Sequence, residues 1–361
     1  MDVKPNSATL VCILSACSSV RAVTHCKAIH GYSLRNSSED CIILNNALLD
    51  FYVKYGSLRS AHYMFSRMAK RDVVSWTTMV GGFAQRGFCL EAVRLFQNML
   101  QRGEAEPNEA TIVNVLSACS LLCALSLGQW IHNYVKTRHD LMVQVNVANA
   151  LINMYAKCGD MSMAFEVFKK LVQKDIVSWS TLVCGMAMNG LGAHVLPLFS
   201  QMLIRGVPPD DITFLGLLSA CSHGRMIDQG LMFFKAMKDV YGILPQLQHY
   251  ACVVDMYGRS GLFKEAEAFI TEMPLEADGV VWGALLNACR IHGNDELFER
   301  IIQHLPSTER VSIGTYVLLS NTYAGSMRWE DANEVRDAMR SMGVKKLAGN
   351  SWIEAGICPK G

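Results

Sequence analysis

The chain has 361 residues, of which 51% are apolar and 18% charged, and this balance excludes an intrinsically disordered protein. Its formal net charge is +1, so composition by itself does not predict nucleic-acid binding. The cysteine total, 13, is odd, and the phrase Ser-Ala-Cys-Ser recurs at Cys17, Cys119 and Cys221. We therefore interpret the cysteines as reduced, buried members of a repeated unit and not as a disulfide set.

A long internal repeat organises the sequence. Trp76, Trp179 and Trp282 follow one another at intervals of 103 residues, and the phrase VVSWTTMVGGFAQRG returns as IVSWSTLVCGMAMNG. Each long period contains three shorter units of about 31 to 36 residues, close to the length of known helical repeats. Each shorter unit is predicted to form two helices.

The second helix of a unit carries the clearest apolar pattern. A small alanine is followed by apolar residues three, four and seven positions later, a spacing that places all four on one helix face. In chain order, the copies are Ala61-Met64-Phe65-Met68, Ala92-Leu95-Phe96-Met99, Ala164-Val167-Phe168-Leu171 and Ala266-Phe269-Ile270-Met273. Gly159 is predicted to end a first helix in the left-handed conformation. Pro197 stands inside a second helix, which is therefore predicted to start late or to kink.

A single helix pair cannot bury its apolar faces, so the pairs must stack on one another. We predict an all-α fold, an α-solenoid of antiparallel helix pairs, in which the same position of every first helix lines one concave surface. Residues 110–136 and 176–204 are long and uncharged, but turn-like segments and polar residues interrupt both, so no membrane association is predicted. Function is expected at repeated polar positions and not in one pocket.

The repeated units resemble the plant pentatricopeptide-repeat family, specifically its subfamily of alternating P, L and S repeats. The phrases NALLDFYVKYGS and LQHYACVVDMYGRSGLFKEAEAFITEMPLEAD resemble its repeats, while VWGALLNACRIHGN and YVLLSNTYAGSMRWEDANEVR resemble its E motifs. The resemblance implies a right-handed superhelix. It divides the chain into a partial P repeat at 1–6, an array at 7–278, E motifs at 279–346 and a tail at 347–361. The repeats of the array are L at 7–41, S at 42–72, P at 73–108, L at 109–144, S at 145–175, P at 176–210, L at 211–246 and S at 247–278.

The resemblance also implies sequence-specific binding of single-stranded RNA, usually to direct cytidine-to-uridine editing of organellar transcripts. Editing enzymes of the family carry a zinc deaminase, the DYW domain, with a His-x-Glu and Cys-x-x-Cys signature, and neither spacing occurs in this sequence. We therefore expect no catalytic residue, no metal site and no cofactor. The expected partners are single-stranded RNA and other editing factors, including a DYW-type deaminase in trans. No targeting segment is visible in MDVKPNSATL, and the family implies the mitochondrion, with the chloroplast as the alternative.

In the family, the fifth residue of a repeat meets the edge of a base and the last residue supports it; we call the two a recognition pair. Carried over to this sequence, the pairs are Asn46 with Asp72, Thr77 with Asn108, Asn149 with Asp175, and Ser180 with Asp210. A short amide or hydroxyl can donate to and accept from a Watson–Crick edge, and a carboxylate or second amide can orient it. By the family's pairing rules the array prefers U-A-n-U-G, where n lies opposite an L repeat.

The other repeats differ at these positions. The L repeats have Val11, Val113 and Leu215 as fifth residues, which cannot select a base by hydrogen bonding, and the last S repeat has Ala251. In family members an apolar residue at the second position of a repeat clamps the base from the side. Ile43, Val74 and Val177 fit that role, whereas Asn146 departs from it.

Two other interpretations stay open at this point. Asn, Asp, Ser and Thr near a helix start commonly serve as caps, and Asp72, Asp175 and Asp210 can all cap the helix that follows. Tetratricopeptide arrays have a similar period and act as protein-binding scaffolds. The alternating unit lengths and the pairing of polar residues favour RNA over the scaffold.

Overall fold

The computed structural model describes residues 5–36, 41–304, 313–325 and 327–341. Twenty-one helices make up the regular structure of these residues, and no strand occurs among them. The predicted all-α fold is confirmed. The predicted tail at 347–361 lies outside the described residues, as do residues 1–4 of the predicted partial repeat.

The helices belong to two compact units, which divide between residues 171 and 172. The first unit contains α1 (Ser7–Ser19), α2 (Val23–Arg35), α3 (Ile42–Lys54), α4 (Leu58–Arg67), α5 (Val73–Gln85), α6 (Cys89–Arg102), α7 (Glu109–Leu122), α8 (Leu125–Thr137), α9 (His139–Met142), α10 (Val145–Lys157) and α11 (Met161–Lys170). The second unit contains α12 (Ile176–Met188), α13 (Gly192–Ile204), α14 (Asp211–Gly224), α15 (Ile227–Asp239), α16 (Leu247–Arg259), α17 (Phe263–Thr271), α18 (Gly279–His292), α19 (Asp295–His304), α20 (Ile313–Gly325) and α21 (Trp329–Ser341).

Within each unit, the first helices of successive repeats lie side by side. In the first unit α3 packs against α5, α5 against α7, and α7 against α10. In the second unit α12, α14, α16 and α18 form the same kind of row. Each second helix packs on the first helix of its own repeat, as α6 does on α5. This arrangement places equivalent positions of neighbouring first helices next to one another.

Glycines allow neighbouring repeats to approach closely. Gly128 of α8 faces Met154 of α10, and a Cβ atom at Gly128 would overlap the methionine side chain. In the second unit the equivalent contact joins Gly230 of α15 to Met256 of α16. Because both residues of the contact recur 102 positions later, the same close packing is repeated in each unit.

The apolar stripes predicted on the second helices form the core. Their small residues, Ala61, Ala92, Ala164 and Ala266, are all fully buried. The Phe65 ring meets the indole of Trp76 edge to face, with 4.8 Å between centroids, an arrangement that contributes about 0.5–1.5 kcal/mol beyond area burial. Trp76 and Trp179 are buried, so these two recurring tryptophans are core residues.

The left-handed helix stop predicted at Gly159 is confirmed. Helix α10 ends at Lys157, and Gly159 has a φ of 84°. Gly87 and Gly190, which follow α5 and α12, have φ values of 81° and 73°. A side chain at these positions would strain the backbone, which favours glycine at these three turns. In the L repeats, Arg21, Cys123 and Arg225 adopt the left-handed conformation at the corresponding turn.

Of the two outcomes predicted for Pro197, the late start of its helix is wrong, and a kink near Pro197 stays a prediction. Helix α13 begins at Gly192, 103 residues after Cys89, which begins the equivalent helix α6. Proline removes one backbone donor and crowds the carbonyl four residues earlier. In α13 the first turn is held by a tighter bond from the His194 N–H to the Leu191 carbonyl, at 2.9 Å. The helix thus contains the proline without losing its first residues.

A half-buried histidine, His30, and a buried one, His132, each join the second helix of an L repeat to the first helix of the next S repeat. His30 Nδ1 lies 2.7 Å from the Tyr52 hydroxyl, and His132 Nδ1 lies 2.7 Å from the Tyr155 hydroxyl. Burial, with smaller contributions from Lys136 and Lys170, lowers the pKa of His132 to about 4. The imidazole of His132 is therefore neutral at pH 7. In the third L repeat the equivalent position is occupied by Phe234.

We expect acid to destabilise the first unit through His132. Its pKa is about 4 in the folded chain and about 6.5 when unfolded, so between these values the unfolded chain binds more protons. The free energy of unfolding should therefore fall from pH 6.5 to pH 4, by at most about 3 kcal/mol from this group. His132→Phe, which copies the third L repeat, should flatten that pH dependence, although it loses the bond to Tyr155.

Urea denaturation at pH 7 and pH 4.5 measures the effect. The exposed His62 provides the control, because His62→Phe should leave the pH dependence of the wild type in place. A His132→Phe protein with the full wild-type acid sensitivity would show that another group is responsible.

Candidate nucleic-acid interface

The last residue of each recognition pair is the N-cap of the helix that begins the next repeat. Its Oδ1 atom accepts a hydrogen bond from a backbone N–H three residues on, which satisfies one of the donors left open at a helix start. The bonds run from Ser75 N to Asp72 (2.8 Å), from Thr111 N to Asn108 (2.9 Å), from Ser178 N to Asp175 (2.8 Å) and from Thr213 N to Asp210 (2.7 Å). The interpretation of these residues as caps is confirmed. An aspartate cap has a second oxygen, so it can also accept a hydrogen bond from a fifth residue.

The first recognition pair is joined in the structure. Asn46 Nδ2, in α3, donates to Asp72 Oδ1 at 3.0 Å and lies 3.3 Å from Asp72 Oδ2. On the other side of the same amide, Asn46 Oδ1 accepts from the Ser75 hydroxyl at 2.6 Å. Both residues of the pair are partly exposed. The Asn46 amide is therefore fixed by its contacts with Asp72 and Ser75 and remains accessible to solvent.

Electrostatics determine which way the Asn46 amide faces. Burial pushes the pKa of Asp72 upward, but hydrogen bonds from the Ser75 backbone and from the Asn46 amide outweigh it, and the net pKa is lowered. Asp72 is therefore ionised at neutral pH and can only accept hydrogen bonds. Because an amide oxygen facing the carboxylate would be repelled, Nδ2 must face Asp72 and Oδ1 must face Ser75.

The second pair is joined more weakly and through a third residue. Thr77 Oγ1 lies 3.5 Å from Asn108 Oδ1, at the outer limit of a hydrogen bond. Its closest polar neighbour is Thr111 Oγ1, at 2.6 Å. Thr111 in turn donates its hydroxyl to Asn108 Oδ1 at 2.8 Å. The hydroxyl of Thr111 therefore links the two members of this pair.

The structure does not bring the fourth pair into contact. Ser180 is 3% exposed, and its hydroxyl donates to the Val177 carbonyl of its own helix at 3.3 Å. Asp210 accepts from Thr213, through the backbone N–H and through the hydroxyl at 2.6 Å. A serine hydroxyl is short enough to bond a carbonyl one turn earlier, and this turns Ser180 away from its predicted partner.

The two residues of the third pair lie in different units. Asn149 is 6% exposed in α10 of the first unit. Asp175, in the second unit, caps α12 and also accepts the Ser178 hydroxyl at 2.8 Å. Asp175 is exposed. The assignment of Asn149 and Asp175 as a recognition pair stays a prediction.

Apolar side chains are exposed at the second position of several repeats. Ile43, Val74 and Val177 are 66%, 50% and 48% exposed. Two residues that the sequence analysis did not single out, Ile212 and Val280, are exposed in the same way at the starts of α14 and α18. Exposed aliphatic side chains one turn from the fifth residues can pack on the flat faces of bases.

The predicted exception at the second position is also an exception in the structure. Asn146 donates its side-chain amide to Glu109 Oε1, at 2.5 Å, at the start of the preceding L repeat. The fifth residues of the L repeats, Val11, Val113 and Leu215, are partly buried in the row of first helices. The repeat of Asn46 combines an exposed apolar residue at the second position with a polar fifth residue bonded to its cap. The repeat of Asn146 lacks the apolar second residue, and the L repeats lack the polar fifth residue.

The sequence analysis missed the hydroxyls that contact the fifth residues. Ser75 and Thr111 stand at the third position of their helices, three residues after a cap. A serine or threonine at this position is visible in the sequence, but it is also what a capping box requires. Only the coordinates show that the same hydroxyl reaches back to the preceding repeat.

The repeats match known families along the chain. The PPR repeat matches residues 46–73, 74–104, 147–176, 212–240 and 249–276, and the PPR repeat family matches residues 174–223. The chain belongs to the pentatricopeptide-repeat family. Residues 292–354 match the E motif, in a stretch that overlaps the predicted E motifs at 279–346.

Similar proteins of Arabidopsis thaliana carry the same repeats. A pentatricopeptide repeat-containing protein named as chloroplastic is 41% identical over 98% of this chain and 48% of its own length. Another, named as mitochondrial, is 37% identical over 98% of this chain and 56% of its own length. The chain thus spans about half the length of these curated relatives.

A solved structure has the same fold. The pentatricopeptide repeat protein PPR10, in complex with an 18-nt psaJ RNA element, aligns with 95% of this chain and 56% of that chain. The TM-score is 0.70 and the sequence identity 17%. The predicted α-solenoid is confirmed by this likeness.

Among the described helices, none has the length and apolar character needed to cross a membrane.

Loss of the Asp72 side chain should affect more than a helix cap. Asp72→Ala removes the cap of α5, at a cost of about 1 kcal/mol, and leaves Asn46 Nδ2 without its acceptor, at a further cost of about 1 kcal/mol. Asp72→Asn keeps a capping oxygen and should cost less. Urea denaturation of the three proteins measures these differences in the free energy of unfolding.

Asp210→Ala is the matched control for this prediction. It removes an equivalent cap from α14, but Asp210 makes no bond to its fifth residue, Ser180. Its expected loss is that of the cap alone. Equal losses for Asp72→Ala and Asp210→Ala would contradict an energetic contribution from the Asn46 contact.

Proposed function

We propose that this chain binds single-stranded RNA in a sequence-specific manner, with one nucleotide opposite each recognition pair. The observation that carries the proposal is the Asn46 amide, held between the Asp72 carboxylate and the Ser75 hydroxyl with its donor and acceptor in known positions. A partly exposed amide of fixed orientation can recognise a base edge by two hydrogen bonds, whereas an amide that rotates freely cannot.

The orientation of Asn46 is complementary to uracil. Nδ2 has a second hydrogen that can donate to a uracil carbonyl, and Oδ1 has a second lone pair that can accept from the uracil N3–H. Thr77, with Asn108, offers one hydroxyl and one amide, which suits the donor and acceptor of adenine. These groups support the first two bases, U-A, and the family's pairing rules alone extend the proposed order to U-A-n-U-G across residues 42–210, with the N-terminus toward the 5′ end.

The proposed affinity is modest. Stacking and edge contacts are worth about 1–3 kcal/mol for each base in single-strand binders, and at most four recognition pairs are proposed. The net charge of +1 provides little neutralisation of phosphates. Binding to RNA outside a larger assembly is therefore expected to be weak and to depend on the base contacts.

Within the cell, the proposed role is that of a site-recognition factor for cytidine-to-uridine editing, with a DYW-type deaminase supplied in trans. The match to the E motif supports this role. Relatives named as chloroplastic and mitochondrial support an organelle, and we propose the mitochondrion with the chloroplast as alternative. Crosslinking the chain to organellar RNA should recover U-A-n-U-G sites near edited cytidines. Recovery of sites unrelated to editing would contradict the role.

A code swap tests the proposed function at one base. Thr77→Asn combined with Asn108→Asp copies the Asn46–Asp72 pair into the next repeat and keeps a capping residue on α7. We expect the preference at the second base to move from A toward U by about tenfold or more in the ratio of dissociation constants. Fluorescence anisotropy with oligonucleotides that differ only at that base measures the ratio.

The third base provides the internal control. It lies opposite the L repeat with Val113, so the swap should leave its preference unchanged. An unchanged A-to-U ratio in a folded variant would refute the assignment of Thr77 and Asn108. If single-stranded RNA binds no better than duplex DNA at physiological salt, the proposal of RNA binding fails and the protein-binding scaffold replaces it.

A further inference from the structure

The third residue of a first helix follows the polarity of the fifth residue in the preceding repeat. Where that fifth residue is polar, the third residue of the next helix carries a hydroxyl: Ser75 after Asn46, Thr111 after Thr77, Ser178 after Asn149 and Thr213 after Ser180. Where it is apolar, the hydroxyl is absent: Leu44 after Val11, Val147 after Val113, His249 after Leu215 and Val281 after Ala251. The eight junctions from α3 to α18 obey the rule, whereas the next one, within the E motifs, does not, because Thr315 of α20 follows Gly283.

Helix capping alone does not require this correlation. Helix α18 is capped by Asp278 with Val281 at its third position, so a carboxylate cap forms without a hydroxyl partner. Helix α16 closes a capping box with His249, whose Nδ1 accepts the Gln246 backbone N–H at 3.0 Å. Capping therefore does not by itself account for a hydroxyl that also contacts the fifth residue of the preceding repeat.

Two of the hydroxyls contact the fifth residue more closely than they contact the cap. Ser75 Oγ lies 2.6 Å from Asn46 Oδ1 and 2.9 Å from Asp72 Oδ1. Thr111 Oγ1 lies 2.6 Å from Thr77 Oγ1 and 2.8 Å from Asn108 Oδ1. The hydroxyl of Thr213, in contrast, bonds Asp210 within the described residues, and Ser180 turns to its own helix.

We infer that Ser75 and Thr111 are positioning residues for base selection: each orients the fifth residue of the preceding repeat and sets which of its atoms donate and accept. The inference rests on the proposed function. It deepens that function by adding a third side chain, from the next repeat, to each recognition pair.

A count of protons gives the physical reason. Ser75 has one hydroxyl hydrogen, and Asn46 Oδ1, which can only accept, is the nearer of its two acceptors, at 2.6 Å against 2.9 Å for Asp72 Oδ1. Thr77 has one hydroxyl hydrogen as well, and its bond with Thr111 determines whether that hydrogen points toward the base or away from it. Without the third residue, Asn46 Oδ1 loses the bond that holds the amide on the side opposite Asp72, and the Thr77 hydroxyl can rotate and either donate or accept.

The test compares base selectivity in variants that lose the hydroxyl. Ser75→Ala and Thr111→Val should each reduce the preference at their own base by roughly three- to tenfold, the effect of one net hydrogen bond. Ser75→Thr and Thr111→Ser restore a hydroxyl and should restore the preference. The ratio of dissociation constants for matched and mismatched RNA is the readout, because a loss of stability alone lowers binding to both RNAs equally.

Thr213→Val is the matched control. It removes the same hydroxyl from an equivalent capping box, but this hydroxyl does not touch its fifth residue. Thr213→Val should lower the urea midpoint as Thr111→Val does and leave base preference unchanged. If Thr111→Val and Ser75→Ala keep the wild-type ratio, or if Thr213→Val changes its ratio as much as they do, the inference is wrong.

Failure of the inference is distinguishable from failure of the proposed function. A wild-type chain without base preference overturns both, whereas a selective wild type with equally selective Ser75→Ala and Thr111→Val variants overturns the inference alone. A double-mutant cycle without RNA adds an independent criterion. The urea midpoint of Asn46→Ala with Ser75→Ala should fall by less than the sum of the single changes, and additive losses would count against the contact between Asn46 and Ser75.

Discussion

The N-cap between repeats is the interaction on which the rest of the proposed interface depends. A helix start leaves backbone donors that must be satisfied, and one side-chain oxygen of Asp72, Asn108, Asp175 or Asp210 satisfies one of them. This requirement places a carboxylate or amide at the same point of each junction. Because α3 packs directly beside α5, the cap of α5 comes within hydrogen-bond reach of Asn46. Folding and recognition therefore use the same side chain.

The sharing has a consequence for the strength and direction of each contact. An aspartate cap accepts only, so its neighbour must donate to it, as Asn46 does. An asparagine cap has its oxygen occupied by the helix start, and Thr77 is linked to it mainly through Thr111. The donors and acceptors that a fifth residue has left for a base are therefore those that its contact with the cap does not use.

Periodicity in the sequence was sufficient to predict the all-α fold. Apolar residues three, four and seven positions after an alanine lie on one face, and can be buried together, when the segment is a helix. The position of Gly159 and the capping role of Asp72 also followed from local rules. The late start at Pro197 did not occur, because α13 begins at Gly192 and includes the proline in its interior. The contact of Ser180 with Asp210 is absent because a serine hydroxyl has an alternative acceptor within its own helix. Local patterns do not reveal such competition between nearby acceptors.

The hydroxyl contacts of Ser75 and Thr111 join atoms on both sides of a repeat boundary. The sequence repeat, from residue 42 to residue 72 for example, is therefore not the smallest exchangeable module of this protein. A recombination event at residue 72 would transfer Asn46 and Asp72 together but separate them from Ser75. A crossover a few residues later, inside α5, would keep the three together. We therefore expect that a recognition pair and the third residue of the helix that follows it were inherited together when repeats were duplicated by unequal exchange.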